Sequence, residues 1–174
     1  MTAKRLLLFF LIIILAGCSS STVKLENWKV RVIKSGYGSC DLEGPFSTIV
    51  QEVLIDLSVK NIGRFSNHPS YIELDLIDSS GSIHTGIYYS GNLYECEKAL
   101  AKRFNTGANL DIGFYSEILP GEEEIMLFKF MTDISNLDNQ TFKLRFQEKA
   151  DNFPYNVVAE KIIELPTIQS ITTP

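Results

Sequence analysis

Histidine, cysteine and long apolar runs are all scarce in this chain, and each scarcity narrows what it can be. Two histidines occur in 174 residues, His68 and His84, and no HExxH, GxSxG or CxxC pattern draws them or a nucleophile into a site. His68 precedes Pro69 in a loop and His84 falls in a short strand, so both read as surface or edge residues. No glycine-rich phosphate loop is present, and an enzyme would need a clustered acid and base that the spacing does not supply. The expectation is therefore a non-enzyme with no catalytic, cofactor-binding or metal-ligating residues. Three weak matches fall away. Ser21-Thr22-Val23-Lys24 fits SxxK but lies where no pocket lowers a lysine pKa. Leu76 to Ile87 shares only Asp78 and Gly81 with a calcium loop, and its end residues cannot ligate. Glu122 to Glu124, following Pro120-Gly121, read as a solvated turn rather than a calcium site. Two cysteines outside the N-terminal region, without CxxC spacing, make at most half a metal site. The net charge is -5 with no block of like charges, so nucleic acid and anionic lipid headgroups are poor partners.

What the chain does have begins at its start. Lys4 and Arg5 precede an apolar stretch from Leu6 to Leu15, and Leu15-Ala16-Gly17-Cys18 follows. A basic start, an apolar middle and small residues before a cut form the grammar of a secretory signal. The stretch is too short to span, because crossing about 30 Å of hydrocarbon takes about 20 apolar residues. The tetrapeptide resembles the lipobox of bacterial prolipoproteins. That resemblance implies removal of residues 1–17, diacylation of the Cys18 thiol, usually acylation of the new amino terminus, and attachment to a membrane through Cys18. One acyl chain holds a protein only marginally, whereas two or more anchor it durably. Ser19, where aspartate would signal retention, implies the outer membrane in a Gram-negative source; in a Gram-positive one the anchor lies on the outer face of the cytoplasmic membrane. Residues 18–27 read as a tether reaching at most about 30 Å, and residues 166–174 as a flexible tail.

Between them lies one domain's worth of chain, residues 28–165, able to bury a core. Period-two alternation dominates it: Trp28, Val30 and Val32; Val53, Ile55, Leu57 and Val59; Ile72, Leu74 and Leu76; Met126, Phe128 and Phe130; Phe142, Leu144 and Phe146; then Val157 to Leu165. Each run reads as a half-buried strand. Asn61-Ile62-Gly63, Asp78-Ser79-Ser80-Gly81 and Pro120-Gly121 supply the turns. About seven short strands with polar turns predict an all-β, two-sheet antiparallel sandwich. Once Cys18 is lipidated, Cys40 and Cys96 are left as an even pair in an oxidising compartment, which favours a disulfide over two buried thiols.

The order of Val59-Lys60-Asn61-Ile62-Gly63, Leu74 to Asp78 with Gly81, and Leu119-Pro120-Gly121-Glu122 before Phe128-Lys129-Phe130 resembles the immunoglobulin-like domains of bacterial lipoproteins of unknown function. The mycobacterial immunoprotective extracellular antigen belongs to that superfamily. The resemblance implies an immunoglobulin-like β-sandwich and transfers no catalytic residues.

The stretch from Thr85 to Leu119 is longer than a hairpin needs. Asn92 and Glu95 are spaced as a capping box, Leu93, Cys96, Leu100 and Phe104 share one face, and Gly107 can end the turn, predicting a short helix over about 93–105. A Cys40–Cys96 bond would staple that helix to the loop between the first two strands. Tyr88, Tyr89 and Tyr94 before it, with Phe114 and Tyr115 after it, either pack the helix down or form a partner surface. Gly86, Ser90, Gly91 and Asn92 around the tyrosines resemble paratope composition. The expected function is a lipid-anchored, non-catalytic module of the cell envelope that binds another envelope protein; a small-molecule or cell-wall ligand carrier is the alternative and needs a concave apolar pocket.

Overall fold

The computed structural model of the protein describes residues 22–42, 48–89, 94–110, 116–132, 137, 140–150, 156–165 and 168–171. Cys18 and the presequence lie outside these residues. The alternating runs form two sheets. The first contains β1 (Thr22–Lys24), β2 (Trp28–Leu42), β3 (Thr48–Asn61), β6 (Ile87–Tyr88) and β7 (Glu123–Thr132), in the order β1-β2-β3-β7-β6, with β10 (Gln169–Ser170) also beside β2. The second contains β4 (Ile72–Ile77), β5 (Ile83–Thr85), β8 (Lys143–Lys149) and β9 (Val157–Glu164), in the order β5-β4-β8-β9. Every described pairing is antiparallel except that of β10 with β2. Over the described residues the protein is an antiparallel β-sandwich with one short α-helix.

The predicted apolar faces meet between the sheets. Trp28, Val30, Val53, Ile55, Leu57, Leu74, Leu76, Met126, Phe130, Leu144 and Phe146 are all fully buried there. Each such side chain contributes about 1.5–3 kcal/mol on leaving water, which sets the register of every strand that carries one. β2 keeps its phase only to Val32. A bulge between Val32 and Lys34 shifts the alternation, so that Lys34, Gly36, Gly38 and Cys40 fall opposite Asp56, Leu54, Glu52 and Val50. The chain changes sheets at Gly86, between β5 and β6. A Cβ there would lie 2.7 Å from the Phe130 ring and 3.0 Å from the Leu74 carbonyl oxygen, so glycine is what lets the crossover sit this close.

Both ends of the predicted domain extend further than expected. Thr22–Lys24 is not tether but β1, with Val23 and Leu25 buried in the sandwich. Gln169 and Ser170 are not free tail but β10, and Ile168 before them is buried. The two strands fill the same edge of β2 in succession, opposite Lys29 to Arg31 and then Gly36 and Tyr37. Both owe their place to pairing with β2 rather than to any alternation of their own. A polar clamp holds the first turn: Asn27 gives its backbone N–H and its side-chain amide, at 2.7 Å, to the buried Glu148 carboxylate of β8. The Asn27 carbonyl accepts from Ile62 and Gly63 in return.

Candidate functional site

β3 carries buried residues on both faces, Val53, Ile55 and Leu57 inward and Leu54, Asp56 and Ser58 outward. The alternation predicted a half-buried strand. The outward face is covered because α1 (Glu95–Phe104) lies across the first sheet and buries Leu100, Ala101 and Phe104 against Leu54, Leu127 and Tyr89. Close approach is possible because β2 presents Gly38, where a Cβ would stand 2.4 Å from Leu100 Cδ1. Cys96 on the helix and Cys40 form a disulfide with 5.5 Å between Cα atoms. Cys40 belongs to β2 itself, so the staple joins helix to sheet and not to an interstrand loop.

The helix also starts later than its sequence suggests. Glu97 accepts the Tyr94 backbone N–H at 2.9 Å, while Glu95 instead pairs with Lys98 at 3.0 Å. The box predicted at Asn92 and Glu95 is thus displaced by two residues; Asn92 and Leu93 lie outside the described residues. Asn105, at φ 54°, ends the helix in place of Gly107. Asparagine tolerates this left-handed conformation better than most side-chain-bearing residues. Lys34 then seals the end, donating to the Phe104 carbonyl at 2.8 Å and to that of Asn105, with its ammonium 4.5 Å above the Phe104 ring. Buried Asp56, 3.7 Å from the same ammonium, accepts from Thr106 and from the Gly107 backbone.

Under the first turn of the helix lies a polar group that no sequence motif announced. Glu97 forms a buried ion pair with Lys129 of β7. Beside it, Glu52 is 1% exposed, and no donor reaches either oxygen of its carboxylate, so that only the protonated carboxyl can hydrogen-bond, to Glu97. Burial pushes its pKa up to about 7, against the pull of Lys129 and reinforced by Glu97. Burial, Glu97 and Glu52 also hold the Tyr89 hydroxyl above the ordinary phenol range, and that hydroxyl is unpartnered too.

Of the two readings of the tyrosines, packing holds for Tyr88 and Tyr89, and the three do not form one partner patch. Tyr88 turns inward, half-buried and edge-on to Phe128 at 6.4 Å between ring centroids. Tyr89 is 2% exposed, covered by the helix. Of the three only Tyr94, 60% exposed, offers its ring to solvent. Alternation along β6 explains the split, because consecutive residues point to opposite faces. It also exposes Ile87, which the aromatic signal passed over. Phe114 and Tyr115 lie outside the described residues.

Among the described strands, the one with the most exposed large apolar side chains is β9. It is the last strand of the second sheet, eight residues long, with Val157, Val158 and Ile162 exposed, the last by 52%. Among the described residues one row of its backbone groups faces no further strand. The neighbouring outer face is well matched in charge. Arg145 binds Asp75 at 2.6 and 3.0 Å, Lys149 pairs with Glu73, and Lys143 lies 3.5 Å from Glu164.

The His68 ring lies 2.7 Å from the Ser70 hydroxyl, an exposed contact between residues two apart in sequence. His68 accepts the Ser70 N–H at 3.1 Å at the head of a 3₁₀ turn, and His84 lies 3.4 Å from Asp78. Asp78 itself builds the hairpin turn, accepting from Ser80 and Ser82 at 2.8 and 2.9 Å. Glu122 and Glu123 have separate tasks, capping Leu119 N–H and bonding Ser58, while Glu124 is half-buried. Among the described residues no three histidine, cysteine, aspartate or glutamate side chains are grouped to hold a metal.

No family model matches the chain, and no curated protein matches it. Among solved structures it is similar to an uncharacterized β-sandwich protein from Clostridium difficile 630, at 12% identity over 84% of this chain and 91% of that one, with a TM-score of 0.48.

Proposed function

We propose that this protein is a lipid-anchored cell-envelope lipoprotein whose sandwich is a non-catalytic module binding another envelope protein, akin to the immunoglobulin-like lipoproteins of the antigen superfamily named above. The lipobox at Leu15 to Cys18 supports the anchor and Ser19 the placement, on the outer membrane of a Gram-negative cell or the outer face of a Gram-positive cytoplasmic membrane. The observation that carries the binding reading is β9, an eight-residue outer strand with exposed Val158 and Ile162. Such an edge accepts an added strand, whose main chain supplies affinity while alternate side chains supply specificity. The space between helix and first sheet, which a carrier would need open, is filled by Leu54, Leu100, Phe104 and Leu127.

A photoreactive residue at Ile162 of the anchored protein in living cells tests this, with the exposed Ile49 of β3 as control position. One envelope protein crosslinked from Ile162 and not from Ile49 is the expected result. Equal capture from both positions, or none, would remove β9 as the binding strand.

A further inference from the structure

The acidic net charge of the chain hides a segregated surface. Lys24, Lys29 and Lys60 stand directly opposite one another across β1, β2 and β3, on the part of the first sheet's outer face that α1 leaves open. Arg31 lies two residues from Lys29 on the same face. With Thr22, Ser58 and Glu123, Lys29, Arg31 and Lys60 line a cleft. Like charges directly opposite in a ladder are unfavourable. Lys143, Arg145 and Lys149 of the second sheet each have an acid within 4.0 Å, whereas among the described residues none lies that near Lys24, Lys29 or Lys60, although Lys60 stands opposite Glu123 in the ladder. Glu123, at the end of the row, is engaged by Ser58 and stands 3.8 Å from Arg31. The helix beside the cleft adds Lys102 and Arg103, both exposed.

The position of this face matters as much as its sign. β1 begins at Thr22, four residues after Cys18. At about 3.3–3.6 Å per residue, the link from an acylated cysteine to the sheet reaches no more than about 14 Å, well short of the reach a ten-residue tether would have. The lysine row begins on the strand held nearest the bilayer. We infer that the open half of the first sheet's outer face docks on anionic phospholipid headgroups of the membrane that holds the chain, their phosphates entering between Lys29, Arg31 and Lys60. This rests on the lipid-anchor reading. It reverses, for this face, the expectation drawn from net charge, and it turns the second sheet and β9 toward the envelope space.

The test is amine acetylation, read lysine by lysine by mass spectrometry, on the purified acylated protein in vesicles of phosphatidylcholine alone or mixed with phosphatidylglycerol. Lys24, Lys29 and Lys60 should react about fivefold more slowly in the anionic vesicles, while exposed Lys161 on β9 is unchanged. Added salt should abolish the difference, because headgroup attraction is screened within about 10 Å at 0.1 M. Equal reactivity in the two compositions would overturn the proposal. A triple Lys24→Gln, Lys29→Gln, Lys60→Gln variant that keeps its disulfide should lose the preference of Arg31 for anionic vesicles, read by dicarbonyl labelling; an undiminished preference counts against the face. A chain that carries no acyl mass and floats with neither vesicle overturns the anchor instead. Adding that chain to phosphatidylglycerol vesicles from solution then reads the face alone, with protection of the three lysines supporting it and equal labelling rejecting it.

Discussion

A carboxylate buried with no donor to its oxygens, as Glu52 is beneath α1 and beside Glu97, is at ease in the fold only while it holds its proton. Its pKa is about 7 in the folded protein against an ordinary 4.5. Between those values the folded state binds a proton that the unfolded chain has lost, so stability falls as pH rises through this window and levels off above it. Glu52→Gln should flatten that fall and raise stability at about pH 8 by on the order of 2 kcal/mol, measured by urea unfolding there and at about pH 5. An unchanged pH slope would place the proton elsewhere. Asp78 acts with the opposite sign. The Ser80 hydroxyl, helped by Ser82 and His84, holds it down to about 2, so what it adds is present above its ordinary pKa and lost as pH falls through the folded value. The two groups differ in legibility for a physical reason. Asp78 sits in an Asp-Ser-Ser-Gly turn whose chemistry is local, whereas Glu52 becomes special only when a helix more than forty residues away in sequence closes over it.

At the scale of elements, the disulfide decides how firmly α1 is held. Cys40 and Cys96 are separated by 56 residues, and cross-linking a loop of that length stabilises a fold by about 4 kcal/mol by the chain-entropy argument. A Cys40→Ala, Cys96→Ala double variant should lose about that much in denaturant unfolding. Hydrogen exchange should show α1 opening before β3 and β7, because the ion pair of Glu97 and the cap of Lys34 remain but the covalent staple does not. Loss of protection throughout the sandwich at the same rate would show instead that the helix is part of one cooperative unit. The apolar spacing of Leu100 and Phe104 made the helix legible, and parity made the cysteine pair so. The start was misplaced by two residues because Asn92 and Glu95 have capping-box spacing, while the observed cap uses Glu97 and the backbone of Tyr94. The strands with four or more alternating residues were readable. β1, β6 and β10, of two or three residues each, were not, since their place is set by the ladders of β2 and β7.

For the whole molecule, the sandwich could be read from alternation alone, but the arrangement of its surfaces could not. Composition reports a net charge of -5, and only strand register shows that Lys24, Lys29 and Lys60 meet in one row while Arg145, Lys143 and Lys149 are each matched by an acid. Which tyrosines pack and which face solvent was hidden for the same reason. Composition placed three aromatics together, while alternation turned Tyr88 and Tyr89 to opposite faces and Tyr94 fell at the start of the helix. The proposed orientation of these surfaces depends on acylation at Cys18, because a sheet beginning four residues later would then stand at the bilayer surface. The measurement that tests it most directly is the mass of the N-terminal peptide of the protein isolated from cell membranes. A peptide that begins at Cys18 and carries a thioether-linked diacylglycerol is the predicted result. A peptide that retains residues before Cys18, or that begins there with a free thiol, would contradict the anchor and the orientation built on it.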